Sequence, residues 1–308
     1  MNKEIDIICV GEVVIDCIGH EVEKLSNTKD FHRFLGGSPT NVAVNGARLG
    51  LNVALVATSG NDGFGEFIDQ KLQTKNVDVS HIRKSHTLPT SVIFVSRSTE
   101  TPEFIAYREA DREILEDQIP DNLLQKGKIF HTTCFALSRD PARTTILNRA
   151  HKAKSLGLQL SIDINYSEKI WPNRYEAQQV LKDYLSTNPL VKVSEDDCFR
   201  LFGETKTEDF IFDYFHSLGV TTICLTKGKN GVKLSDLDYG VVFQEALQID
   251  EIKDSTGAGD AFWTGFLYAR LNFKTFEESL KIAQKLASIK LQNVGRLPDN
   301  LDLNAILN

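Results

Sequence analysis

A glycine-rich turn followed by an acidic residue stands near the C-terminal end of this 308-residue chain. The run Asp254-Ser-Thr-Gly-Ala-Gly-Asp260 leads into an apolar pattern with helical spacing over Ala258–Leu271. Free backbone N–H groups at a helix start bind anions, and small residues let a phosphate approach closely. Because a carboxylate repels a phosphate, Asp260 suits a base that deprotonates an attacking hydroxyl better than it suits a phosphate ligand. The run therefore predicts phosphoryl transfer, although an ordinary turn before a helix has the same local pattern.

A second glycine-rich run, Gly36-Gly37-Ser-Pro-Thr-Asn41, opens another helical pattern. Its two glycines permit a close approach of the backbone, and Asn41 offers both a donor and an acceptor, as a neutral polyol requires. An ordinary Gly-Gly turn is the alternative. Neither run is a dinucleotide-binding fingerprint, since Phe262 occupies the place of the third glycine, and the chain has no Walker P-loop pattern.

The composition is that of a globular protein, with 41% hydrophobic and 25% charged residues. The formal net charge of -7 argues against nucleic acid or an anionic membrane as a partner. No apolar run approaches the ~20 residues of a membrane span, and the N-terminus has no signal-peptide pattern. The five cysteines are odd in number and form no C-x-x-C pair, so we expect free thiols in a reducing cytoplasm.

Apolar, β-branched runs alternate with helical patterns along most of the chain. This alternation predicts one α/β domain over residues 1–308, with a mostly parallel sheet covered on both faces. The predicted strands are Ile5–Val10, Asn52–Thr58, Lys128–Thr132, Leu158–Ile162, Val191–Val193, Thr221–Leu225 and a hairpin of Gly231–Leu234 with Val241–Gln244. The predicted helices are Thr40–Leu49, Phe64–Lys75, Ala142–Leu156, Tyr175–Tyr184, Asp209–Leu218, Ala258–Leu271 and Phe276–Leu291.

Three further extended runs break the alternation, namely Val13–Ile18, Ser91–Ser96 and Glu103–Tyr107. They predict a small antiparallel sheet, built from about residues 13–35 and 86–110, that stands off the main sheet as a lid and excludes water. An exposed edge hairpin is the alternative interpretation. Because such strands have free edges, we expect two copies of the chain to pair through the lid as a homodimer.

Over nearly its whole length the chain resembles the ribokinase (PfkB) family of carbohydrate kinases. The glycine-rich runs that begin at Gly36 and at Asp254 match the two family signatures in the right order and separation. Weaker matches are Gly11-Glu12 with Asp16, Gly60–Gly65 and Thr226–Gly231. The resemblance implies an α/β, ribokinase-like three-layer sandwich and a sugar kinase that uses ATP with Mg²⁺. Many members of the family also bind K⁺ beside the anion hole.

The resemblance also implies roles for single residues. Asp260 matches the catalytic base, and the backbone anion hole matches Gly257, Ala258 and Gly259. The positions that bind sugar hydroxyls match Asp16, Gly36, Gly37 and Asn41. The nucleotide-binding loop matches Thr226, Gly228 and Gly231. The nearest candidates for K⁺ are Asp254 and the backbone of Thr256, with Gly295 as a weaker one.

Two positions depart from the family pattern. The family's Asn-x-x-Glu element, linked to the Mg²⁺ and phosphate site, is here Ser194-Glu-Asp-Asp197. Asp197 can still order metal-bound water, although its side chain is shorter by one methylene. Gln284 stands where the family often has a small polar Asn near the adenine, so it is our candidate for contact with the base and leaves the base preference open.

The form of the first signature resembles that of fructokinases and of the kinases of 2-keto-3-deoxygluconate and 5-dehydro-2-deoxygluconate. In that branch a Tyr-Arg pair on the lid side faces the substrate, here Tyr107 and Arg108. Arg108 would bind a sugar acid, hold the phosphate end or form a surface salt bridge. Tyr166 stands where 2-keto-3-deoxygluconate kinases carry an Arg that contacts the substrate carboxylate. We therefore expect a neutral ketohexose, fructose first, with the two keto-acid kinases as alternatives.

Two other functions stay open at this stage. A non-catalytic sugar-binding regulator could share the fold, because fold alone does not give function, although the intact run from Gly257 to Asp260 argues against it. A nucleoside kinase of the same family would be favoured by an aromatic-rich lid, but only Phe94, Phe104 and Tyr107 are available there.

Overall fold

The computed structural model describes residues 3–99, 102–298 and 301–307. The strands are β1 (Ile5–Val10), β2 (Val14–Gly19), β3 (Phe31–Gly36), β4 (Val53–Gly60), β5 (Val77–Ser85), β6 (Val92–Val95), β7 (Phe104–Tyr107), β8 (Gly127–Thr133), β9 (Gln159–Asp163), β10 (Leu190–Ser194), β11 (Thr222–Thr226), β12 (Val232–Asp236) and β13 (Gly240–Gln244). The helices are α1 (Ser38–Arg48), α2 (Gly63–Leu72), α3 (Asp121–Lys126), α4 (Ala142–Ser155), α5 (Arg174–Leu185), α6 (Glu195–Phe202), α7 (Glu208–Ser217), α8 (Ala258–Leu271), α9 (Phe276–Leu291) and α10 (Leu303–Leu307).

Nine of these strands form one large sheet in the order β13-β12-β11-β10-β9-β8-β1-β4-β5. All pairings from β11 to β5 are parallel, and the hairpin at the other end adds β12 and β13 in antiparallel pairing. A sheet covered by helices on both faces needs strands that are apolar on both faces, and every residue of β4 is buried.

Two hydrophobic cores lie on the two faces of this sheet. Ile8 and Val10 of β1 point into one core, which is covered mainly by α4 to α7. Ile7 and Cys9 point into the other core, which is covered mainly by α1, α2, α8 and α9. The expected three-layer α/β sandwich is thus confirmed. No helix in the described ranges is long and apolar enough to cross a membrane.

The remaining strands form a small sheet in the order β3-β2-β6-β7, here called the lid sheet. The pairings β2–β3 and β6–β7 are antiparallel, and the central pairing β2–β6 is parallel. The register places Asp16, Phe34, Ile93 and Ala106 in one row on one face. This inner face packs against Phe135 of the main body.

The N-termini of α1 and α8 and the carboxyl ends of β9, β10 and β11 meet at one edge of the large sheet. This edge is where ligands bind in open α/β sheets, because the loops there can vary without disturbing the sheet. Strand β3 leads directly into α1 through Gly37, whose φ of 101° lies in the left-handed region. Strand β3 of the lid sheet is therefore joined to α1 at this edge by a single glycine.

Candidate active site

The carboxylate of Asp260 joins the first turns of two helices. Its Oδ1 accepts a hydrogen bond of 2.6 Å from Ser38 Oγ, and its Oδ2 accepts one of 2.8 Å from Asn41 Nδ2. Asp260 lies in the first turn of α8, whereas its two donors lie in the first turn of α1. Two donors from one rigid helix fix the carboxylate in position, which is the first requirement for a general base.

The turn before Asp260 offers backbone donors. Gly257 caps α8 with a φ of 78°, a left-handed conformation that glycine adopts without strain. The N–H of Ala258 donates to the carbonyl of Ser255 at 3.2 Å. In the part of the chain that the structure describes, the N–H groups of Gly257 and Gly259 donate to no backbone carbonyl. These two amides are therefore available to an anion.

Two buried lysines flank this turn, and neither was singled out from the sequence. Lys192 Nζ lies 2.9 Å and 3.0 Å from the carboxylate oxygens of Asp163, and a Cβ added to Gly259 would lie 2.9 Å from the same Nζ. Burial lowers the pKa of Lys192, but the charge and hydrogen bond of Asp163, together with the charges of Asp197 and Asp260, outweigh burial, and the pKa is raised. A lysine within the apolar strand β10 was the signal that could have identified it.

The second lysine, Lys290, lies behind Gly257. A Cβ on Gly257 would lie 3.7 Å from Lys290 Cε. Lys290 forms a buried ion pair with Asp254, with 3.2 Å between Nζ and Oδ2. Burial lowers the pKa of Lys290, and the charge of Asp254 opposes that effect.

Asp16, Gly36, Gly37 and Asn41, the predicted sugar ligands, lie together beside Asp260. A Cβ on Gly36 would lie 2.2 Å from Asp16 Oδ2, so the carboxylate rests directly on this glycine. Burial, together with the charges of Asp260 and Asp254, raises the pKa of Asp16 to about 7. Asn41 also has a contact that the sequence did not indicate, since its amide donates to the carboxylate of Asp260.

The predicted nucleotide residues Thr226, Gly228 and Gly231 lie at the carboxyl end of β11 and in the connection to β12. A Cβ on Gly231 would lie 2.3 Å from the carbonyl oxygen of Gln244, and the side chain of Gln284 donates to the same oxygen at 3.3 Å. The fold thus brings Gly231 and Gln284 together. The buried Oε1 of Gln284 has no hydrogen-bond partner among the described residues.

The predicted metal ligands already have partners in the chain. Asp197 Oδ2 accepts hydrogen bonds from Ser194 at the start of α6, and its Oδ1 accepts one of 2.7 Å from Arg200. A role for Asp197 in magnesium binding stays a prediction. Asp254, Thr256 and Gly295, the potassium candidates, do converge, because the N–H groups of Thr256 and Gly295 donate to the carboxylate of Asp254. The same carboxylate pairs with the ammonium group of Lys290.

The strand register contradicts the prediction that Tyr107 faces a substrate beside Asp16, whereas a substrate contact of Arg108 stays a prediction. Tyr107 pairs with Val92, and Val92 precedes Ile93, which lies in the same row as Asp16. Because successive residues of a strand point to opposite faces, the side chain of Tyr107 lies on the face opposite Asp16, where it is 61% exposed. Arg108 is 4% exposed, so it is not a surface salt bridge. Its guanidinium donates to Asp111 and to Ser138 and lies 3.9 Å from the ring centroid of Phe135.

Known proteins are similar to this chain over nearly its whole length. The chain is 32% identical over 305 residues to an ATP-dependent 6-phosphofructokinase of Thermoanaerobacterium thermosaccharolyticum, which covers 99% of this chain and 94% of the relative. The fructokinase of Halothermothrix orenii has a similar structure, with a TM-score of 0.79, 32% identity and coverage of 95% and 100%.

An uncharacterized sugar kinase of Pyrococcus horikoshii, solved in complex with ATP, gives a TM-score of 0.81 with 28% identity and coverage of 94% and 93%. The sequence profile described as pfkB family carbohydrate kinase matches residues 4–301. The chain therefore belongs to the pfkB family of carbohydrate kinases and is a phosphotransferase with an alcohol group as acceptor.

Proposed function

We propose that this enzyme transfers the γ-phosphate of ATP to a primary hydroxyl of fructose, with Asp260 as the base. The observation that carries the proposal is the placement of a fixed carboxylate one helical turn from two available amides, those of Gly257 and Gly259. A base and an anion hole in this arrangement serve an oxygen nucleophile and a phosphoryl group at once.

In the proposed reaction Asp260 removes the proton of the sugar hydroxyl as the oxygen attacks the γ-phosphorus. The bond from that phosphorus to its bridging oxygen breaks, and ADP leaves with the electron pair. The amides of Gly257 and Gly259 receive the charge on the equatorial oxygens, and Lys192 adds a positive charge beside Gly259. Asp260 then releases its proton to solvent.

Magnesium would enter with the triphosphate and neutralise part of its charge. In the described ranges no group of three or more His, Cys, Asp or Glu side chains could hold a metal ion. Such surroundings fit a Mg²⁺ held mainly by phosphate oxygens and water. Asp197, close enough to Lys192 and Asp163 to shift their pKa values, would orient that water.

The neutral sugar is supported by the surroundings of Asp16 and Arg108. Asp16 offers acceptors to hydroxyls, whereas a sugar carboxylate beside Asp16, Asp254 and Asp260 would meet repulsion. Since Arg108 is engaged with Asp111, it does not supply the cation that a sugar acid needs. The keto-acid kinases are therefore less well supported than fructokinase.

A phosphorylated fructose is the second candidate. A cleft that opens beside Asn41 and Gly257 is lined by the cations Arg33, Arg48, Lys71, Lys75 and Arg296. Such a cluster suits a second phosphate on the acceptor, and one of the similar proteins is a 6-phosphofructokinase.

Purified protein should release ADP with fructose in the presence of Mg-ATP. Because a positioned base contributes about 10²–10⁴-fold, Asp260→Asn should lower kcat by that factor while calorimetry still detects fructose binding. A near-normal kcat in Asp260→Asn would contradict the mechanism. If fructose 6-phosphate is turned over faster than fructose, and if Lys71→Met raises the KM for fructose 6-phosphate, the phosphorylated sugar is the substrate instead of fructose. Turnover of 2-keto-3-deoxygluconate alone would overturn both.

Gly36→Ala should raise the KM for the sugar about tenfold or more, because the new Cβ displaces the carboxylate of Asp16 from its position. The matched control is Gly63→Ala at the start of α2, where a Cβ meets nothing within 4 Å. Steady-state kinetics of both variants check this. Equal KM values in the two variants would show that Asp16 does not bind the sugar.

The KM for the sugar should fall as the pH rises from about 6 to about 8. Asp16, whose pKa is raised to about 7, is protonated below that pH, and its protonated form accepts fewer hydrogen bonds from hydroxyls. The dependence should be absent in Asp16→Asn, which does not titrate. A KM that is flat with pH in the native enzyme would assign sugar binding to other groups.

We also propose that two copies of the chain pair through the outer face of the lid sheet, which is the face opposite Asp16. That face carries Phe31, Phe94, Ile105 and Tyr107, and the last two are 49% and 61% exposed. Sedimentation velocity should give the mass of a dimer, and Ile105→Lys with Tyr107→Lys should give that of a monomer. Leu237→Lys, at an equally exposed position outside the lid, should leave the dimer intact. A monomeric native protein would refute the pairing.

A further inference from the structure

The ammonium group of Lys290 is enclosed by oxygen atoms of two loops. Lys290 lies in the last turn of α9 and is 2% exposed. Its Nζ donates to the carbonyl of Asn293 at 2.9 Å, to Asp254 Oδ2 at 3.2 Å and to the carbonyl of Asp254 at 3.5 Å. The three N–H donors of a lysine therefore have three acceptors, although the group is buried.

Asp254 is fully buried and holds the same two loops together. Its Oδ1 accepts the N–H of Thr256 at 3.0 Å, and its Oδ2 accepts the N–H of Gly295 at 2.8 Å. A buried carboxylate requires a counter-charge, and Lys290 supplies it. One carboxylate and two backbone carbonyls form an oxygen set that also suits a monovalent cation.

We propose that Lys290 is the built-in monovalent cation of this enzyme, so that K⁺ has no place beside the anion hole and phosphoryl transfer needs none. The proposal rests on the proposed kinase function. Asp254, the side-chain ligand expected for K⁺, is occupied by a cation that belongs to the chain itself, and the carbonyl of Asn293 in the loop before Gly295 binds the same cation. An ammonium carries the same single charge as K⁺, and its tether keeps the site filled at any salt concentration.

Lys290 acts as a positioning residue. Through Asp254 it fixes the loop that ends in Gly257, whose amide belongs to the anion hole, and its Cε lies close behind that glycine. A fixed amide stabilises developing charge better than a mobile one, because no reorganisation is needed during the reaction. Loss of Lys290 should therefore lower kcat much more than it raises the KM for the sugar.

The first test is the response of the native enzyme to K⁺. Replacing K⁺ by tetramethylammonium at constant ionic strength should change kcat less than about twofold, because the tethered charge remains. Several-fold activation by K⁺ would overturn the proposal. This measurement does not depend on the folding of any variant.

Two variants of Lys290 distinguish the effect of losing the charge from the effect of losing the volume of the side chain. Lys290→Ala removes the charge and leaves room, so kcat should fall about tenfold or more and K⁺ should restore much of it. Lys290→Met removes the charge but fills the space, so kcat should fall without rescue by K⁺. Lys281→Ala, at an exposed position on the same helix, is the matched control and should behave as the native enzyme. Unchanged kcat in both Lys290 variants would refute the role.

Thermal unfolding gives a readout independent of activity. The Tm of Lys290→Ala should rise with K⁺ but not with tetramethylammonium, because K⁺ binds the folded state only. The native enzyme and Lys290→Met should show no K⁺-specific shift. If no sugar is phosphorylated, the proposed function fails, but this measurement still decides whether Lys290 fills a cation site. A K⁺-specific rise of the Tm in the native protein would show that Lys290 does not fill that site.

Discussion

The hydrogen bonds that Asp260 accepts from Ser38 and Asn41 join two helices whose contacting residues are more than 200 positions apart in the sequence. The rest of the site depends on this joint. Helix α1 is the direct continuation of lid strand β3, and β3 ends at Gly36, on which Asp16 rests. One continuous series of contacts therefore connects the lid sheet, Asp16 and Asp260.

Charge balance is the second constraint on this site. Asp16, Asp254 and Asp260 are near enough for the last two to raise the pKa of the first. ATP would bring further negative charge, and the chain as a whole carries a net charge of -7. Two buried ammonium groups offset this locally, Lys192 on one side of the anion-binding turn and Lys290 on the other. Each is paired with an aspartate that is itself buried, so neither can move away without leaving an uncompensated charge.

The sequence predicts the elements with strong apolar periodicity well. Helices α8 and α9 and strand β1 begin and end where the pattern predicts. Strand β3 was included in the predicted lid region without bounds of its own, and β5, a mostly polar strand at a sheet edge, was missed. Asp260, the turn before it and the two glycine runs could be singled out because their residues are adjacent in the sequence, and the structure brings both runs together. The face of the lid sheet on which Tyr107 lies could not be predicted from the sequence, because it depends on the register of the strands. Lys290 was missed because a lysine in an amphipathic helix has the pattern of a surface residue until the neighbouring loop encloses it.

The glycines of the two signature runs are required for different physical reasons. Gly37 and Gly257 adopt left-handed conformations, so the backbone itself selects glycine there. Gly36 and Gly259 do not. At these positions a Cβ would collide with a charged side chain, Asp16 Oδ2 in one case and Lys192 Nζ in the other. The absence of a side chain at Gly36 and Gly259 thus leaves room for the acid Asp16 and for the cation Lys192, and the two short runs of small residues bring opposite charges close to Asp260.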